Sequence, residues 1–244
     1  MDPDTYLSHL RADGPALSVA AKRDLDAPVP SCPEWLVRDL IRHTAKVYLH
    51  KVGVMAAGGT ERPEVDIPDG PDGGDELIAW YDDSLSRLIA ELEERDPKDE
   101  AWTFFGDKRV GFWHRRMAQE AAVHRWDAEA ATGDPGPIDP ELAADGINEM
   151  LNVMIPADEV PYEGKPGTLH LHRTDGDGEW LVTLEAGSAP ATRSGHEKGD
   201  AALRGTSSNL LLLVWRRVTP GTVERFGDDE IIDDFYAYLA GPGL

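Results

Sequence analysis

Residues 113–127 read WHRRMAQEAAVHRWD, and this segment has the residue spacing of one long helix. Residues three and four apart share a helix face, and one face carries four polar side chains among apolar ones: Arg116, Glu120, His124 and Asp127. The opposite face, which includes Arg125, is the predicted solvent side. An inward carboxylate and imidazole are costly unless they are paired, and Glu and His one turn apart can hold one metal ion. The segment therefore predicts a partner for Glu120 and His124 elsewhere in the chain.

A second helical pattern supplies a third side chain of the same kind. Its inward positions recur at i, i+4, i+7 and i+11, and they are Leu36, Leu40, His43 and Val47. His43 therefore interrupts an apolar stripe. Two imidazoles and one carboxylate are a ligand set that zinc and other borderline divalent metals accept, with one position open for water or substrate. Each could instead be a hydrogen-bonded polar group of the core, and the residues alone leave both interpretations open.

The amino-terminal part of the chain is predicted to be a helical bundle. Helical periodicity covers residues 4–25 and 75–95, and with the two helices above it makes a four-helix bundle the economical arrangement. Residues 58–74 are rich in Gly, Pro and Asp, which predicts a long surface loop. One more helix is predicted over 139–155. We place the bundle domain at residues 1–160.

The remainder of the chain predicts a small α+β domain over residues 164–244. Residues 168–173 and 180–185 alternate around the sequence DGDG, which is typical of a β-hairpin. A strand and two helices are predicted to complete the domain, at residues 201–204, 207–218 and 231–239. The predicted fold class of the whole chain is α+β.

Composition limits the classes of function. The 244 residues include 24 basic and 46 acidic ones, a net charge of −22, which disfavours binding to nucleic acid or to an anionic membrane. Cys32 is the only cysteine, so no internal disulfide is expected. The amino terminus lacks the pattern of a signal peptide, and no apolar run approaches the length of a membrane span. We therefore expect a cytoplasmic protein.

Three motifs can be compared with known families: CPEW at residues 32–35 with His43 following it, the pattern R-x-x-x-E-x-x-x-H-x-x-D from Arg116 to Asp127, and ALRGTSSNLLLLVWRR at residues 202–217. The first two resemble the mycothiol-dependent maleylpyruvate isomerase family, which belongs to the wider DinB-like metal-binding four-helix proteins. The third looks like the small carboxy-terminal domain of the same family. The resemblance implies a DinB-like four-helix bundle followed by a small α+β domain.

The same resemblance implies a function. His43, Glu120 and His124 would bind a divalent metal, zinc first with nickel as the other candidate, and mycothiol would be the thiol cosubstrate. The enzyme would activate this low-molecular-weight thiol as a metal-bound thiolate. The thiolate would then isomerise a maleylpyruvate-like unsaturated acid, or be transferred to an electrophile. The competing hypothesis is a non-catalytic bundle whose metal has a structural or sensory role.

Three further residues are predicted to support the site. Arg116 and Asp127 share the metal-facing stripe, where Asp127 can accept a hydrogen bond from a ligating histidine or pair with Arg116. An ion pair within the bundle explains both residues equally well. In the family an arginine of the small domain is thought to serve the active site, which suggests Arg217 or its neighbour Arg216 as a ligand for a substrate carboxylate. Cationic side chains at a helix carboxyl end are also explained by the helix dipole.

Other histidines receive simpler interpretations. His170 and His172 lie two apart on a predicted strand and therefore face one side, which we interpret as a hairpin surface. His196 has no companion that the sequence identifies. Ser31 and Glu34 match a capping box at the start of the second helix.

Overall fold

The computed structural model describes residues 1–241, which divide into two units, Met1–Gly136 and the chain from Pro137 onward. The prediction had placed the division between residues 160 and 164. The structure places it earlier because the helix that begins at Pro140 packs against a helix of the second unit. The Gly- and Pro-rich segment 133–137 separates the units.

The first unit contains the four predicted long helices: α1 Pro3–Ala21, α2 Val37–Ala57, α3 Gly74–Glu94 and α4 Val110–Thr132. Helix α1 packs mainly on α4, and α2 mainly on α3. The bundle core includes large side chains with no exposed surface, among them Leu10, Leu40, Tyr81 and Trp113. Burial of such apolar faces supplies most of the stability of helices of this length. The DinB-like bundle and the α+β class are confirmed.

Helix α1 runs without interruption through Pro15. One local prediction in the first unit was wrong. Helix α2 begins at Val37, and the amide of Leu36 donates to the Asp39 carboxylate at 3.0 Å, so Ser31 and Glu34 form no capping box. Residues 31–35 instead form a turn that precedes the helix.

The predicted solvent side of α4 is also different in the structure. Arg125 is 6% exposed, and its guanidinium lies 3.0 Å from Asp13 and 2.8 Å from Glu129. A guanidinium can be buried when carboxylates take the place of the water molecules that it binds in solution, as Asp13 and Glu129 do here. Arg125 therefore lies on this face as a member of buried ion pairs and does not face solvent as predicted.

The second unit is built on a five-stranded sheet with the order β3-β2-β1-β4-β5. Its strands are β1 Gly167–Arg173, β2 Glu179–Leu184, β3 Ala191–Ser194, β4 Ala201–Gly205 and β5 Glu224–Gly227. The central strand β1 is antiparallel to β2, as the predicted hairpin required, and parallel to β4. The short strands β3 and β5 had not been predicted.

Helices complete the second unit: α5 Pro140–Glu149, α6 Ile155–Asp158, α7 Ser207–Val214 and α8 Asp229–Tyr238. A π-helical turn, Met150–Met154, joins α5 to α6, and a 3₁₀ turn, Pro220–Thr222, precedes β5. No helix among residues 1–241 combines the length and apolarity needed to cross a membrane.

Helix α7 ends four residues before the predicted boundary. Arg216 has a left-handed backbone with φ of 58°, its amide donates to the Leu213 carbonyl, and the amide of Arg217 donates to the Leu212 carbonyl at 2.7 Å. This pair of bonds is a Schellman motif, which normally carries glycine at the left-handed position. Arg216 and Arg217 thus follow the helix and do not form its last turn.

Candidate metal centre

The structure brings together the three predicted metal ligands, which come from two helices of the first unit. His43 lies in the first half of α2, and Glu120 and His124 lie one turn apart on α4. One oxygen of Glu120, Oε1, is 3.4 Å from His43 Nε2 and 3.3 Å from His124 Nε2. All three donor atoms lie within 4.8 Å of one another. Two imidazoles and a carboxylate in this arrangement suit a borderline divalent metal such as zinc.

The buried carboxylate of Asp127 orients His124. Its Oδ2 atom lies 2.9 Å from His124 Nδ1, and its Oδ1 atom accepts a hydrogen bond from the Ser31 hydroxyl at 2.6 Å. Because Nδ1 faces Asp127, Nε2 is the nitrogen that faces Glu120 and His43. Metal-bound histidines commonly have such a carboxylate behind them. Ser31 was not predicted for this role, because its position before a helix suggested a cap.

Arg116 fixes the other oxygen of the ligand carboxylate. Its guanidinium is 5% exposed and donates to Glu120 Oε2 at 2.8 Å. This charge-assisted bond restricts the rotation of Glu120, so that Oε1 remains directed toward both histidines. Arg116 and Asp127 therefore each contact one of the predicted ligands, Glu120 and His124 respectively.

Charges within the site shift the pKa values of two ligands. Burial alone would raise the pKa of Glu120, but the neighbouring His124, His43 and Arg116 hold it well below its usual range. Burial would likewise lower the pKa of His124, yet Glu120 and Asp127 raise it to about 9. Glu120 is thus ionised, as a carboxylate must be to bind a metal, whereas His124 would have to release a proton to do so.

The centre is reached from the His43 side. The side chain of His43 is 39% exposed, against 14% for Glu120 and 9% for His124. A groove of about 440 Å³ lies there, lined by six residues of the turn and of α2: Glu34, Trp35, Asp39, Arg42, His43 and Lys46. The ring of Trp35 is 4.9 Å from the ring of His43. A small molecule in this groove would contact the most exposed ligand.

Lys51 is a further residue of this region that sequence reasoning missed. Its ammonium lies 4.6 Å from the ring centre of Trp113 and 2.9 Å from His50 Nδ1. Burial lowers the pKa of Lys51 to about 8, and Arg116 and Arg62 act in the same direction while Glu120 opposes them. A lysine on a long helix ordinarily indicates a solvated face, so no sequence signal separated Lys51 from the others.

Arg217 belongs to the second unit. Within that unit its guanidinium donates to the Trp215 carbonyl at 2.9 Å and lies 5.8 Å from the Trp215 ring centre. Its predicted role toward a substrate stays a prediction.

Comparison with known families covers both units. Residues 9–129 match the family model described as the mycothiol maleylpyruvate isomerase N-terminal domain, and residues 141–233 match the MDMPI C-terminal domain. The chain belongs to the mycothiol maleylpyruvate isomerase family. This confirms the resemblance based on the CPEW and R-x-x-x-E-x-x-x-H-x-x-D motifs. The two matched ranges also flank the structural division after Gly136.

Two curated proteins and two solved structures are similar to this chain. Two proteins of Mycobacterium tuberculosis, from strains CDC 1551 and H37Rv and both described as uncharacterized, are each 30% identical over 172 residues, covering 68% of this chain and 86% of theirs. The crystal structure of a mycothiol-dependent maleylpyruvate isomerase is similar with a TM-score of 0.63 and 14% identity. The crystal structure of a histidine-to-alanine mutant of such an enzyme is similar with a TM-score of 0.66 and 15% identity. Each alignment covers 92% of this chain and 93% of the other, which shows that the fold is shared.

Proposed function

We propose that this protein is a metal-dependent enzyme that uses mycothiol to isomerise a small unsaturated acid or to modify a small electrophile. One observation carries the proposal: three protein ligands, His43, Glu120 and His124, converge where a groove meets the most exposed of them. Zinc sites with three protein ligands are typically catalytic, because they keep a position for water or substrate. Family membership supports mycothiol as the thiol.

Each residue of the centre has a distinct task in this proposal. A divalent metal held by His43, Glu120 and His124 would lower the pKa of a coordinating thiol, so that the thiolate is present near neutral pH. Zinc and nickel both accept these ligands. Asp127 keeps the imidazole of His124 in one orientation, and Arg116 does the same for the carboxylate of Glu120.

Lys51 is a cation near the centre that suits an acidic substrate, and it lies by Trp113. Arg42 and Lys46 also line the groove beside His43, but Glu34 and Asp39 line it too, and Lys46 is paired with Asp69 at 2.7 Å. With a pKa of about 8, Lys51 is largely protonated at neutral pH. The net charge of −22 would otherwise repel a carboxylate, so local positive charge is needed to hold one.

Isomerisation and transfer share their first step. The thiolate sulfur forms a bond to one alkene carbon, and the electron pair of the double bond moves into the conjugated carbonyl. Rotation about the resulting single bond, return of the electron pair and loss of the sulfur give the trans isomer. A transferase would instead protonate the neighbouring carbon and release the adduct. A metal held by His43, Glu120 and His124 would activate the same sulfur in both reactions.

The test is turnover of maleylpyruvate with mycothiol or glutathione as the thiol. Turnover is measured as the decrease in the ultraviolet absorption of maleylpyruvate. Mass spectrometry would separate isomer from adduct and extend the assay to other electrophiles. We expect consumption with mycothiol, none with H43A or H124A, and unchanged turnover with H9N, which removes a histidine outside the centre. A stoichiometric metal without consumption of any acid or electrophile would favour the structural or sensory alternative.

A further inference from the structure

A second group of metal-ligand side chains lies on the sheet of the second unit, where the sequence had suggested an ordinary hairpin surface. It consists of His170, His172, Glu179 and His196. None of these residues takes part in the centre between α2 and α4. The strand pairing explains why four residues spread over 27 positions meet.

Strand geometry places the first three side chains on one face of the sheet. His170 and His172 alternate with Leu169 and Leu171, which are fully buried on the other face. Glu179 is the direct cross-strand partner of His172 in the antiparallel β1–β2 pair, and such partners lie on the same face.

His196 arrives from the segment that follows β3. Strand β3 pairs with β2 up to Ser194, which lies opposite Trp180. The amide of Gly195 then donates to the Glu179 carbonyl at 3.2 Å, so the next residue, His196, is held beside the Glu179 side chain. This approach could not be predicted from the sequence, because β3 had not been predicted.

The distances within the group are short. Glu179 Oε2 lies 2.9 Å from His170 Nε2 and 2.6 Å from His196 Nδ1, and Glu179 Oε1 lies 3.0 Å from His172 Nδ1. One donor atom from each residue lies within 4.8 Å of the other three. Four ligands at zinc-bond lengths stand about 3.3 Å apart, so small side-chain rotations would bring all four atoms to one ion.

A hydrogen-bonded cluster around Glu179 is the alternative explanation. A carboxylate has about four acceptor positions, so Glu179 could accept a hydrogen bond from each of the three imidazoles around it. Three imidazoles with one carboxylate are also a complete ligand set for a borderline divalent cation, and the two explanations differ in whether such a cation binds. The strongly negative chain would also concentrate cations at its surface.

We infer that His170, His172, Glu179 and His196 form a structural site for a borderline divalent cation of the zinc type. Four protein ligands fill a tetrahedral shell and leave no position for substrate. The bound ion would tie the β1–β2 hairpin to the chain that leaves the edge strand β3. The exposure of the ligand side chains ranges from 10% at His170 to 82% at His196, so the ion can enter from solvent and His196 can close over it.

The test uses tag-free full-length protein and Co²⁺, whose four-coordinate complexes absorb intensely in the visible range. In the H124A background, which disables the centre in the helical unit, we expect one equivalent to bind with a four-coordinate spectrum. Adding H196A should weaken that binding at least about tenfold, since even loss of an outer-shell partner has an effect of this size. Adding H9N should leave it unchanged.

Two further measurements distinguish loss of the site from loss of the fold. His196 is mostly exposed, so H196A is expected to keep the native circular dichroism spectrum; H172A tests the same site from the central strand. Absence of a four-coordinate cobalt spectrum in the H124A protein, with its fold intact, would overturn the inference. Cobalt binding that neither H196A nor H172A weakens would overturn it as well.

Discussion

The helical unit and the sheet unit each gather histidine and glutamate side chains, but they do so in different ways. Between α2 and α4, three ligands converge, and Asp127 and Arg116 hold two of them in place. On the sheet, three imidazoles surround Glu179, which makes a group of four candidate ligands. The number of ligands and the support behind them separate a site suited to chemistry from one suited to holding strands together.

Loss of a direct ligand should give the largest effect. We expect H124A to remove the metal of the helical unit and to lower mycothiol-dependent turnover more than about 100-fold, because even outer-shell partners contribute 10- to 100-fold. Metal content and initial rates are the measurements. Full turnover by metal-free H124A protein would contradict a catalytic role for the metal of the helical unit.

Removal of the support behind His124 should have a smaller effect at the same site. We expect D127N to weaken metal binding about 10- to 100-fold, because an amide no longer offers two anionic oxygens to His124 and Ser31. A competition assay with a chelator measures the affinity. Because Ser31 contacts only the far oxygen, S31A should weaken binding less than D127N, and the reverse order would contradict this arrangement.

Zinc should stabilise the second unit through the sheet site. At a free concentration 100 times the dissociation constant, a ligand that binds only the folded state adds about 2.7 kcal/mol. A tenfold weaker site in H196A would reduce this gain by about 1.4 kcal/mol. The measurement is thermal or urea unfolding in the H124A background with and without zinc. Equal stabilisation by zinc with and without the H196A substitution would contradict a structural role for the sheet site.

Lys51 should give the smallest effect, and only the helical unit is involved. Its pKa falls from 10.5 to about 8 because of burial, with Arg116 and Arg62 adding to this and Glu120 opposing it. Between those pH values the unfolded chain binds more protons, so the metal-free protein gains stability as pH rises from about 8 to 10.5. Below that window the buried charge is fully destabilising.

The variant K51M removes this charge and keeps an apolar stem over Trp113. We expect it to unfold at higher urea than the wild type at pH 7, by a free energy on the order of 1 kcal/mol after allowance for partial exposure. The difference should shrink as pH rises toward 10.5. Urea titrations of chelator-treated protein at both pH values measure it, and a difference independent of pH would assign the effect to packing.

The sequence could predict that the three side chains of the helical centre turn inward, because this information is local. Glu120 and His124 are one turn apart, and His43 interrupts an apolar stripe, so the helical period alone turns all three inward. What the period could not supply was the turn before α2, which delivers the Ser31 hydroxyl to Asp127. Nor could it distinguish a solvated polar face from one with buried ion pairs, as Arg125 shows.

The sheet group could not be predicted from residue spacing, for a different physical reason. Alternation correctly placed His170 and His172 on one side, but their partners depend on strand register. His196 is reached only through β3, a four-residue strand with little apolar alternation. Short edge strands are fixed by pairing with their neighbours more than by their own residues, and so His196 seemed isolated.

The π-helical turn at Met150–Met154 bears on where this chain could be shortened. The amide of Ile155 donates to the Met150 carbonyl, five residues back, so this turn contains one residue more than an α-helical turn. A one-residue deletion elsewhere in a packed helix rotates every following side chain by about 100°. Here the extra residue can be lost by conversion to an α-helical turn, so that a one-residue deletion within 150–154 would leave the side chains that follow it on their present faces.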